Sequence, residues 1–98
     1  MKLLDLFNAV KDHTLSKEHL EAYHKELSEV YAMMHLELGN IKKKKGLFML
    51  QDPEKTAVAK KREWEGGEDG QREIELKAMI RATSTHLSSL KNRLFSIY

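Results

Sequence analysis

The stretch LKAMIRATSTHLSSLKNRLFSI, residues 76–97, sets Leu76, Ile80, Thr83, Leu87, Leu90, Leu94 and Ile97 at alternating steps of four and three. That heptad spacing keeps one apolar or small side chain per turn on a single helical face, which must be buried against another helix. A matching seam lies upstream at Leu20, Tyr23, Leu27, Val30, Met34 and Ile41, so the chain carries its own candidate partner. The expected fold is all-α: an antiparallel helical hairpin or coiled coil with a short N-terminal helix, self-associating into a helical bundle.

Punctuation divides the rest. Residues 2–12 read as a short amphipathic helix with Leu3, Leu4, Phe7 and Val10 on one side. Ser16 is a good N-cap, because its hydroxyl can accept a free amide of the following turn, and Glu18 suits the positive end of the helix dipole. A long helix is expected over 16–50. Its seam weakens at Glu37 and Lys44, where Leu38 and Phe48 pick up the stripe, and Gly39-Asn40 is the place where it would bend or end. Asp52-Pro53 marks a turn over 51–53, with Asp52 as cap of a helix over 53–65. Gly66, Gly67 and Gly70 predict a break over 66–70, and the last helix covers 71–97. Folding back at Asp52-Pro53 sets residues whose numbers sum to about 105 side by side, with the glycine region shifting that register by a few positions.

Ninety-eight residues make one domain, near the size where a single core is marginal unless chains associate. The composition, 41% hydrophobic and 33% charged with one proline and five glycines, suits helices and not a β-sandwich or a disordered tail. There is no cysteine, hence no disulfide framework and no thiolate metal site. Asp5 interrupts the first apolar stretch, so it does not read as a signal peptide, and no run approaches the roughly 18 apolar residues of a membrane span. The expectation is a cytoplasmic protein without membrane contact.

The net charge is only +2, but its sign alternates along the chain: −3 over 1–40, +6 over 41–62, −5 over 63–76 and +4 over 77–98. The strongest candidate site is the basic block, Lys42, Lys43, Lys44 and Lys45 with Lys60, Lys61 and Arg62 brought level by the fold-back. Such a concentration can neutralise several phosphates with release of counterions, so nucleic acid, a nucleotide or another phosphate-rich ligand is the expected partner. A solvated helix tip is the bland alternative. Trp64, with Phe48 and Met49, is a candidate for base stacking or for an oligomer interface.

Catalysis finds little support. His13, His19, His24, His35 and His86 form no i, i+4 pair or HExxH arrangement, so no metal or cofactor is expected. Ser88-Ser89-Leu90-Lys91 holds an SxxK string without the companion motifs of serine acyl enzymes. Trp64-Glu65-Gly66 resembles the Trp-Xaa-Gly tripeptide of a family of small secreted helical hairpins of similar length. In that family the tripeptide lies in the turn between the main helices, whereas here Asp52-Pro53 is the better turn and the family's C-terminal tyrosine and acidic signal is missing. In length and composition the chain is also similar to the small, cysteine-free, charged helical proteins that bacterial viruses encode in replication, recombination and counter-defence regions. That likeness implies a stoichiometric binder, with an adaptor or inhibitor of a larger assembly as the alternative function.

Overall fold

The computed structural model describes residues 2–97, apart from the side chain of Ile97, the last position of the expected seam. All of its regular structure is helical: α1 (Leu3–Val10), α2 (Lys17–Leu50), α3 (Ala57–Gly66) and α4 (Glu68–Ile97), with no strand among the described residues. The molecule is a rod with extents of 59 × 20 × 19 Å.

At the start of α2 the Ser16 hydroxyl accepts the His19 amide, and Glu18 occupies the first turn. The helix runs for 34 residues straight through Gly39-Asn40 and Gly46. Each glycine costs about 1 kcal/mol of propensity, but Leu38 and Ile41 are buried on either side of the first, so packing holds the helix continuous. Leu20 and Leu27 cluster with Leu90, whereas Met34, Leu38 and Ile41 cluster with Leu76 and Trp64. The helices α2 and α4 therefore run in opposite directions along a shared seam. Glu37, the gap in the α2 stripe, accepts two hydrogen bonds from the Arg72 guanidinium at 2.6 and 3.1 Å.

Three boundaries differ from the expectation. The link after α2 covers 51–56, and α3 starts at Ala57, because the Thr56 hydroxyl accepts the Ala59 amide as its cap. Asp52 instead has φ of 49°, a left-handed geometry unlike the extended backbone of an N-cap, and its carbonyl accepts the Lys55 amide to close a turn. In place of a break over 66–70, Gly67 alone separates α3 from α4. Glu68 and Asp69 fill the first turn of α4, and the Gly67 carbonyl accepts the Gln71 amide. Gly70 is buried where the two helices touch: a Cβ there would lie 1.8 Å from the Trp64 carbonyl oxygen. In α1, Leu6 and Val10 are buried while Leu4 is exposed, so Leu6 takes the inward place expected of Leu4.

Candidate functional site

The expected cations come to one end of the rod, but not as one patch. The Lys60 ammonium donates to the Met49 carbonyl at 2.8 Å, and the Phe48 and Trp64 rings lie 5.6 Å apart. These contacts set 60–64 level with 48–49, so Lys61 and Arg62 sit about one turn beyond Lys44, and the paired numbers sum to 109–118 and not 105.

Two of the seven are committed within the fold. Lys60 is buried, and its charge sits at the negative end of the α2 dipole. Lys45 donates to Glu73 at 3.2 Å. Lys61 is in a loose pair with Glu65 at 4.0 Å. Lys42, Lys43, Lys44 and Arg62 are exposed, and none of them has an ion pair or hydrogen bond among the described residues. Consecutive helical residues are about 100° apart, so the three free lysines spread over about 200° of α2, the side turned away from its buried seam.

Trp64 belongs to the core. Its indole N–H donates to the buried carboxylate of Glu73 at 3.3 Å, which also accepts Lys45 and lies 3.8 Å from Lys77. Burial pushes the Glu73 pKa up, but the hydrogen bonds from Lys45 and Trp64, with the charges of Lys45 and Lys77, outweigh it and hold the carboxyl below its ordinary value. Phe48 and Met49 are half-buried, which leaves these three residues little surface for stacking a base. The apolar surface lies elsewhere, on Met33, Leu36, Leu47, Leu50 and Val58, all exposed. The seam of Leu20, Tyr23, Leu27, Val30, Met34 and Ile41 leaves Met33, Leu36 and Leu47 out, and their separations of 3 and 11 mark a second stripe.

The other chemistry-bearing side chains serve structure. His86 stacks on Phe7 with ring centroids 4.4 Å apart, and Tyr31 meets His35 edge-on at 4.5 Å. Ser88 is exposed, and Lys91 of the same string stands 5.8 Å over the Phe95 ring. Among the described residues no three His, Asp or Glu side chains converge as a metal site would require. The concavities are shallow and open to solvent, such as the groove between Met33, Leu36, Asn40 and Arg72. Among the described residues no helix is long and apolar enough to cross a membrane. The chain matches no protein-family model, no curated protein and no solved structure.

Proposed function

We propose that the chain is a non-enzymatic, self-associating helical hairpin protein that captures nucleic acid or another phosphate-rich polyanion at its basic end. The observation that carries this reading is the turn of α2 formed by Lys42, Lys43 and Lys44, three exposed cations with no partner among the described residues, with Arg62 and the loosely paired Lys61 about one turn away. Free ammonium groups around a rigid helix are suited to phosphates, since the favourable term is counterion release and needs no shaped pocket. Lys45 and Lys60 are excluded from this role by their internal bonds.

Three to five phosphate contacts imply an affinity that falls roughly 40- to 500-fold between 50 and 200 mM salt. Fluorescence anisotropy of a labelled oligonucleotide across that range measures the slope directly. Replacing Lys42, Lys43 and Lys44 by glutamine is expected to remove most of the slope while leaving helicity unchanged, and absent or salt-insensitive binding would retire the proposal.

A second reading, a protein-interaction adaptor or inhibitor, is favoured by the exposed Met33, Leu36, Leu47 and Leu50. An amphipathic helix face of this kind docks on a groove through residues spaced by three and four. Under it, charge-to-glutamine changes would alter the speed of association, and apolar-to-charge changes would abolish it.

A further inference from the structure

Met33, Leu36, Leu47 and Leu50 are 71%, 69%, 66% and 79% exposed. With Asn40 and Lys43 they occupy positions 33, 36, 40, 43, 47 and 50, a heptad stripe on the side of α2 opposite the buried seam. We infer that this stripe is the interface with a second copy of the chain, the two α2 helices lying antiparallel with a twofold axis between positions 41 and 42.

The stripe is symmetric about that midpoint, as an isologous contact demands. Met33 then meets the partner's Leu50, Leu36 meets the partner's Leu47, and Asn40 meets the partner's Lys43. A polar layer at the centre costs affinity and fixes the register. On one flank Glu37 faces the partner's Lys44, an opposite-charge pair made twice; the Glu37 carboxylate is half-exposed and already held in place by Arg72. On the other flank Gly39 lies against the partner's Gly46. Both glycines weaken the helix, and in the single chain a Cβ at either would meet nothing within 4 Å. Close approach of a second helix gives them a reason. A parallel pair would set Lys43 on Lys43 and lose the Glu37 pairing.

This inference rests on the self-association part of the reading above and not on polyanion capture; in the dimer Lys44 is paired and Lys43 lies near the axis, so capture there falls to the exposed Lys42, Lys61 and Arg62 of each copy. The two respond differently to salt: an apolar interface with lysines near its axis persists at ionic strengths that release a polyanion.

The full chain is tested by sedimentation equilibrium without nucleic acid. The expected mass is twice 11.4 kDa, unchanged at the salt concentration that abolishes oligonucleotide binding. Leu36→Glu and Leu47→Glu are each expected to weaken pairing about tenfold or more with helicity retained, since both side chains stand clear of the core. The chain has no cysteine, so Asn40→Cys and Lys43→Cys can be mixed in equal amounts and oxidised, and the mixed disulfide is expected to exceed the sum of the two homodisulfides, which random pairing would only equal. A monomer mass at high micromolar concentration, a mixed disulfide that does not exceed the homodisulfides combined, or a monomer that engages only a foreign protein through Leu36 overturns the inference. A persistent dimer that binds no oligonucleotide supports it and overturns polyanion capture instead.

Discussion

Glycines with the same name do opposite work in this chain, and the surroundings of each decide the outcome of changing it. At Gly70 an added methyl group would strike the Trp64 carbonyl at 1.8 Å and its carbon at 2.6 Å. Those atoms are backbone and cannot rotate away, so Gly70→Ala is expected to cost about 3 kcal/mol by forcing α3 off α4. Gly66→Ala, four residues earlier, meets open space and is expected to be neutral or to stabilise by about 0.5 kcal/mol. Urea unfolding of the two variants checks the contrast, and equal effects would contradict the crossing. Glu73 is the other decisive residue, a carboxylate in the core whose pKa is held down. Because the folded value lies below the unfolded 4.5, its contribution is present above about pH 4.5 and is lost as pH falls through the folded value. Glu73→Gln keeps an oxygen for the Trp64 N–H but abandons the charge, so it is expected to lose about 1–2 kcal/mol at pH 7. Its stability curve should then be flatter than the parent's below pH 4.5. Neither role was legible: Gly70 reads as part of a helix break and Glu73 as one charge of the −5 block, because the Trp64 carbonyl lies 6 residues from Gly70, and Trp64 and Lys45 lie 9 and 28 from Glu73.

The long helices are joined along their seam, whereas α1 is fastened at its end as well as through Leu6 and Val10. Its last turn is clasped from α4, where the Arg93 guanidinium donates to the carbonyls of Val10 and Asp12 and His86 stacks on Phe7. Burial, with the charge of Lys11 beside it, lowers the His86 pKa from 6.5. The unfolded chain therefore takes up this proton first as pH falls, so the His86 contribution is full above about pH 6.5 and is lost on acidification towards the folded value. Hydrogen exchange of residues 3–10 is expected to quicken between neutral pH and about pH 5, after correction for intrinsic rates. His86→Phe, which keeps the ring contact and removes the proton, should abolish that acceleration. A pH response unchanged in this variant would assign it to another group. The long helices were readable because their signals are local and repeated: a serine cap, then an apolar or small side chain on every turn from Leu20 to Ile41 and again from Leu76 to Leu94. The short α3 was misplaced by four residues, since Asp52-Pro53 and Thr56 are both sound starts by local chemistry. The left-handed backbone at Asp52 chose between them.

Across the whole molecule the core is thin, a single seam between two long helices, closed by α1 near one end and α3 near the other. One cluster gathers Leu6, Val10, Leu20, Leu27 and Leu90, and the other gathers Met34, Leu38, Ile41, Trp64 and Leu76. Side chains that touch both are few, with Leu3 among them, and Thr83, fully buried, supplies a hydroxyl that donates to the Met79 carbonyl of its own helix. The charge alternation visible in the sequence maps onto this plan only in part. The +6 block does gather at the α3 end, but Lys45 and Lys60 are drawn inward, and no pattern in the chain distinguishes them from Lys42 or Lys61. A rod with two clusters in series is expected to yield locally. Leu27→Ala and Leu76→Ala each remove a side chain with no exposed surface and should each cost about 2–5 kcal/mol. Their optical signatures should differ, because Trp64, the only tryptophan, sits in the second cluster. Leu76→Ala is expected to lower the transitions seen by tryptophan fluorescence and by far-ultraviolet circular dichroism together. In Leu27→Ala the dichroism transition should begin at a lower temperature than the fluorescence one, as the α1 end frays while the environment of Trp64 holds. Coincident transitions in Leu27→Ala would mean instead that the continuous α2 and α4 helices couple the two clusters into one cooperative unit.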